Sequence, residues 1–123
     1  MDGFTPEEIF NYLRASMTTI NLVLCTCPDR ETAEEIAVRL VDAGLAACVN
    51  VLPGITSIYR WQGKIERSQE TLLLIKTSRS RLDELQQALV ALHPYDVPEV
   101  IALGVEQGHQ PYLEWVEQCT ISS

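Results

Sequence analysis

The sequence predicts an α+β domain: a ferredoxin-like βαββαβ sandwich, preceded by an extra helix and closed by a short one. Three observations carry this. Four segments read as strands, 19–27, 45–61, 64–77 and 98–105, and a helix-spaced segment follows the first and the third. The two long strands between those helices are separated only by Gln62-Gly63, a hairpin signal. The chain is 123 residues long and 46% hydrophobic, enough for one compact domain without covalent staples.

The first helix starts at Thr5-Pro6-Glu7-Glu8, where Thr5 is the N-cap, Pro6 the first helical residue and Glu8 the reciprocal half of a capping box. Ile9, Phe10, Leu13 and Met17 give it a narrow apolar stripe by which to pack on the outside. Residues 1–18 are therefore read as a helical extension, and 19–119 as the domain itself.

Residues 19–27 are rich in Ile, Val, Leu and Thr, and end at Pro28, which has no N–H for a ladder. Asp29 then caps a helix whose inward positions are Ala33, Ile36, Ala37, Leu40 and Val41, with Gly44 at C′. The second strand, from Leu45 to Trp61, is interrupted at Pro53-Gly54. The third runs from Lys64 to Thr77, and its segment TLLLI is apolar on both faces, as expected of a central strand. Ser80 begins a helix with Leu82, Leu85, Leu89 and Leu92 inward, stopped at His93 by Pro94. Pro98–Val105 is the fourth strand, and Pro111 opens the final helix.

Helices on one face leave the other face of the sheet bare. The hairpin arms, ~14 residues each against ~8 for the outer strands, overhang the sheet with unpaired backbone. A bare apolar face and overhanging edges call for copies of the same chain, so a homo-oligomer is expected.

Composition excludes several classes of function. With 17 acids against 9 bases the net charge is −8, which repels a phosphate backbone, so nucleic acid is not an expected partner. No stretch reaches the ~18 apolar residues of a membrane span, and the start MDGFTPEEIF has no basic n-region, so a soluble, cytoplasmic protein with reduced thiols is expected. No nucleophile elbow, phosphate loop or zinc spacing is visible, so the chain is not read as an enzyme.

LCTCPD, residues 24–29, carries the first chemistry. Cys25 and Cys27 share one strand face at roughly 6.7 Å, so their sulfurs can converge on one soft cation, or simply fill a sheet core. For Cys27 the core role is favoured. A C-x-C disulfide demands strained geometry. His93 closes a helix, where a ligand role and a capping role are both open. Glu99 is the carboxylate nearest His93 in sequence, a hard ligand, a base, or the partner of a lysine such as Lys76. Lys76 itself suits either that pair or an anion in a cleft, and Tyr95 lies in the same rigid loop as Glu99. Tyr59 and Trp61 share a face near the hairpin tip and are read as interface residues. His109 reads as a cap or loop residue, and Cys48 and Cys119 as core or interface fillers.

LAACVNVLPGITSIYRWQGKI (45–65), ETLLLIKT (70–77), HPYDVPE (93–99) and YLEWV (112–116), in order and with the right separations, resemble the CutA family, named for divalent-cation tolerance. The resemblance covers roughly residues 19–118. It implies a ferredoxin-like subunit in a tight homotrimer, related in architecture to the PII signalling proteins, with the long hairpins adding strands to neighbouring subunits. It also implies copper or another divalent cation bound through Cys25 and His93 at an intersubunit cleft. Where some members have a second histidine this sequence has Leu92, and where relatives often have proline it has Gly104. The rival reading is a PII-like signalling trimer binding a small metabolite or anion in that cleft, with Lys76, Tyr95 and Glu99 responding to it.

Overall fold

The computed structural model describes residues 3–15 and 18–121. In chain order the elements are α1 (Pro6–Ala15), β1 (Ile20–Cys27), α2 (Arg30–Asp42), β2 (Cys48–Trp61), β3 (Lys64–Ser78), a 3₁₀ turn (Arg79–Arg81), α3 (Leu82–Leu92), β4 (Ile101–Gly104) and α4 (Gln110–Cys119). The strands form one sheet in the order β2-β3-β1-β4, every neighbouring pair antiparallel. This is the ferredoxin-like arrangement that two βαβ halves joined by a hairpin must give.

Local chemistry sets the boundaries. The Thr5 Oγ1 accepts the Glu8 N–H at 3.1 Å, the expected cap of α1. On that helix Phe10 is exposed and Ile9 half-buried, so the expected stripe is not covered at Phe10; the side chain of Leu13 and all of Met17 lie outside the described residues. Asp29 caps α2 by accepting the Thr32 N–H at 2.8 Å, and Gly44 follows the helix at φ +71°. The reversal between β2 and β3 has Gln62 at φ 50° and Gly63 at φ 81°, the double left-handed geometry of a type I′ turn. The Pro53-Gly54 interruption is a register shift between Leu52 and Ile55 within a continuous β2.

Three boundaries or faces differ from expectation. Val41 is exposed rather than inward, because Leu40 already fills the position facing the sheet. The helix expected from Ser80 starts as a 3₁₀ turn and becomes α-helical at Leu82. β4 is only four residues long: Pro94 and Pro98 donate no backbone N–H, and the ladder with β1 begins at Ile101.

The core lies between one sheet face and helices α2 and α3. Val23, Cys25, Cys27, Leu73 and Ile75 meet Ala33, Ile36, Leu40, Leu85 and Leu89 there. On the opposite face α4 packs Leu113 and Val116 on Ile20, covering one end. The rest of that face carries Leu22, Leu24, Leu72 and Leu74, half-buried, with Ile101 and Leu103 exposed beside them. β1 stops pairing at Cys27–Thr71, while the hairpin continues from Ile55–Glu70 out to Trp61–Lys64. The overhang bears the exposed side chains Ile58, Trp61 and Ile65.

Candidate functional site

The end of β1 is where the chemistry collects. Alternation along the strand turns Cys25 and Cys27 toward the helices and Thr26 toward the open face. Both thiols are fully buried, and His93, delivered by the end of α3, is only 7% exposed. One donor atom each from Cys25, Cys27 and His93 lie within 4.8 Å of one another, the single such group of three or more His, Cys, Asp or Glu donors among the described residues. Sequence reasoning paired Cys25 with His93 and left Cys27 aside; the fold gives Cys27 an equal place. The signal was the shared strand face, which also fits a core filler.

The two thiols act on each other. Cys25 is pushed well above the ordinary thiol range, first by donating its S–H to Cys27, then by burial and by the negative charges that Cys27, Glu99 and Glu70 bring near it. Cys27 is lowered because it receives that hydrogen bond, against the opposing effect of burial. The two thiols therefore titrate as a pair, not as independent groups.

His93 is fixed at both nitrogens. The Tyr95 backbone N–H donates to Nδ1 at 3.1 Å, so Nδ1 is the acceptor. That leaves Nε2 as the protonated nitrogen, donating to the Thr26 carbonyl at 2.7 Å. The imidazole thus bolts the loop after α3 onto the end of β1, and its ring lies 4.7 Å from that of Tyr95. It offers a cation a lone pair only by giving up one of these two hydrogen bonds.

On the other side of the β1 backbone a cleft of about 740 Å³ opens beneath the hairpin overhang. Its walls include Tyr59, Trp61 and Tyr95 together with Glu70, Asp96 and Glu99. The Tyr95 hydroxyl donates to Glu70 Oε2 at 3.2 Å, and Tyr59 exchanges a 2.6 Å hydrogen bond with Ser68. Burial, reinforced by the Glu70 carboxylate, pushes the Tyr95 phenol up to about 12. Glu99 thus lines the cleft and is not part of the thiol–imidazole group. Tyr59 and Trp61, expected at an interface, are exposed and form cleft walls in the subunit. Lys76 sits opposite Leu22, toward the other end of the sheet, and donates to Asn50 Oδ1; it neither lines the cleft nor pairs with Glu99.

Of the remaining candidates, His109 occupies the N-cap position of α4, where its carbonyl, not its ring, accepts the Tyr112 and Leu113 N–H groups. Cys48 is half-buried and Cys119 exposed, and neither is bonded to another cysteine. Glu70 and Asp96 were not singled out in the sequence. Glu70 is an open-face residue at the root of the hairpin, visible only once the β2–β3 register is known.

Comparison with known proteins gives a consistent result. Residues 21–119 match the family described as CutA1 divalent ion tolerance protein. Protein CutA of Mus musculus is 51% identical over 104 residues, covering 85% of this chain and 59% of the mouse protein, so the chain spans well under two thirds of that relative. Divalent-cation tolerance protein CutA of Thermus thermophilus is 50% identical over 99 residues, covering 80% of this chain and 96% of its own. The crystal structure of CutA from Xylella fastidiosa superposes with a TM-score of 0.83 at 47% identity, over 85% of this chain and all of that one (100%).

Proposed function

This chain belongs to the CutA1 divalent ion tolerance family, and from that membership we propose that it is a binding protein rather than a catalyst, one that contributes to tolerance of copper and other divalent ions by holding them as a cytoplasmic homotrimer. The observation that carries this reading is the group Cys25, Cys27 and His93, whose donors lie within 4.8 Å of one another.

Two thiol sulfurs and an imidazole are a soft donor set, suited to copper, above all Cu(I), and to zinc more than to magnesium or calcium. The carboxylates of Glu99 and Glu70 act on Cys25 through space, so the surroundings favour positive charge. In this reading Glu99 contributes field to the site, not a bond. Loss of the His93–Tyr95 or His93–Thr26 hydrogen bond on ligation opposes binding by about 0.5–1.5 kcal/mol. Thiolate formation sets the pH dependence: a cation displaces the proton shared by the cysteines, so binding releases protons and weakens as pH falls.

The trimer is supported by the apolar open face and by the hairpin segment Ile55–Glu70, whose outer edges pair with nothing else among the described residues. No helix among the described residues is long and apolar enough to cross a membrane. The four free cysteines support a reducing compartment.

Competition titration of Cu(I) against a chromogenic chelator tests the site in wild type, Cys25→Ser, Cys27→Ser, His93→Ala and Glu99→Gln. Each cysteine change is expected to weaken binding at least about tenfold, or roughly 1.4 kcal/mol, while Glu99→Gln changes it less. Equal affinity in wild type and both cysteine variants would sink the assignment.

A further inference from the structure

We propose that His93 is a metal-operated latch: an ion taken by its imidazole releases Tyr95, and with it the loop 94–99, from the end of β1. The inference rests on the metal-binding reading and adds what ligation does to the rest of the subunit. The loop is lightly attached. Among the described residues 94–99 make no backbone–backbone hydrogen bond, Pro94 and Pro98 have no N–H to offer, and the ladder with β1 begins only at Ile101. Val97 is 89% exposed. Two hydrogen bonds hold the loop, both from Tyr95: its N–H to His93 Nδ1 at 3.1 Å and its hydroxyl to Glu70 Oε2 at 3.2 Å. Only the first leads to β1, because the same ring donates from Nε2 to the Thr26 carbonyl at 2.7 Å.

A neutral imidazole has one N–H and one lone pair. As the ring stands, the lone pair is on Nδ1 and receives the Tyr95 N–H. An ion has two ways in. At Nδ1 it takes the lone pair itself, displaces the Tyr95 N–H directly, and leaves the Thr26 carbonyl holding the second nitrogen, as is usual for a ligating histidine. At Nε2 it requires the proton there to move to Nδ1, where it faces the Tyr95 N–H, donor against donor. Either way the Tyr95 bond is lost, and only the fate of the Thr26 bond differs. The ring stays in place, because the ion ties it to Cys25 and Cys27. What is released is the loop.

With its N–H free, Tyr95 remains hydrogen-bonded only through its hydroxyl to Glu70, at the root of the hairpin. Occupancy of a buried donor set is thereby converted into mobility of a segment that bears Asp96, Val97 and Glu99. The coupling is reciprocal, so whatever tightens the loop on His93 weakens the hold on the ion.

Amide hydrogen exchange of the full chain, with and without saturating Cu(I), tests the latch. A ligand specific to the folded state slows exchange generally, whereas the latch demands the opposite sign at one amide. Tyr95 exchange is expected to accelerate at least about twofold, the size of one lost hydrogen bond, while the amides of Val23 and Leu73 in the core slow or hold. Both measurements are made on the same assembly, so whatever neighbouring copies cover cancels in the comparison. In the double variant Cys25→Ser, Cys27→Ser the ion should leave Tyr95 unchanged. In His93→Ala the Tyr95 amide should already exchange fast and gain nothing from the ion. Unchanged or slower Tyr95 exchange in saturated wild type would overturn the proposal, as would an acceleration that survives loss of both thiols. The chelator titration measures binding separately. An ion that binds through the cysteines without freeing Tyr95 defeats the latch alone; an ion that does not bind defeats the metal-binding reading and the latch with it.

Discussion

Replacing His93 with alanine removes both hydrogen bonds that fasten the loop after α3 to β1. The bond to the Thr26 carbonyl is 2.7 Å and the one from the Tyr95 N–H is 3.1 Å. His93 is only 7% exposed, so the vacated space is interior. Leaving the Thr26 carbonyl without a partner next to that space costs about 1–3 kcal/mol, and loss of the part-buried bond from the Tyr95 N–H costs about 0.5–1.5 kcal/mol. Loss of the tilted ring contact at 4.7 Å removes another increment, of about 0.5–1.5 kcal/mol. These effects overlap, and the expected destabilisation is about 2–4 kcal/mol. His93→Gln, whose amide can both donate and accept, should recover part of it. Urea unfolding at one fixed protein concentration reads the stability, since that of an oligomer depends on concentration. Hydrogen exchange at the Tyr95 amide reads the local bond and should accelerate in the alanine variant. A loss below about 0.5 kcal/mol with unchanged Tyr95 exchange would refute the view that the imidazole is a fastening between loop and strand.

Two further outcomes follow from the geometry. The Tyr95 phenol is pushed up to about 12 from an ordinary 10.0, by burial first and Glu70 second, so a tyrosinate absorbance titration should show a component well above 10.0, and Tyr95→Phe should delete it. Because the folded value is the higher one, this contribution to stability is complete below pH 10.0 and is lost as pH rises toward about 12; a titration that Tyr95→Phe leaves unchanged above pH 10.0 would contradict the contact. Gly63, at φ 81° in the hairpin turn, tolerates no side chain without strain, so Gly63→Ala should destabilise by about 1–2 kcal/mol in thermal or urea unfolding, and a neutral result would mean the turn can switch type without cost.

How much of this was readable beforehand depends on the range of the interaction involved. The strands, both sandwich helices, the Asp29 cap and the Gln62-Gly63 reversal are set by neighbours within a few residues, so propensity and periodicity found them. Val41 was misplaced because a helical stripe five residues wide cannot say which edge the sheet leaves uncovered. β4 was drawn too long because apolar content is visible in sequence and the absence of a donor at Pro98 is felt only once a partner strand is in place. Near the end of β1, Cys25 and His93 were singled out through the family resemblance, and Cys27, which the fold places beside them, was set aside because a buried small thiol looks the same whether it packs or ligates. Lys76 and Glu99 were candidates for a pair because both are isolated charges, but strand register puts Lys76 opposite Leu22, away from the cleft. Register is a long-range property, and one strand carries no record of it.

The register also explains why the thiol–imidazole group and the hairpin cleft sit back to back. β1 presents sulfur to the helix side at Cys25 and Cys27 and a hydroxyl to the cleft side at Thr26, a consequence of simple alternation. The two residues that hold the His93 ring, Thr26 by its carbonyl and Tyr95 by its N–H, are both also among those that line the cleft. A cation that takes a lone pair from His93 must release one of them. The Tyr95 amide therefore reports on the state of the imidazole. Copper binding through the imidazole should shift the Tyr95 amide resonance in wild type, and an amide that stays unshifted on saturation with Cu(I) would mean that His93 keeps its hydrogen bond to Tyr95 and offers the ion nothing at Nδ1.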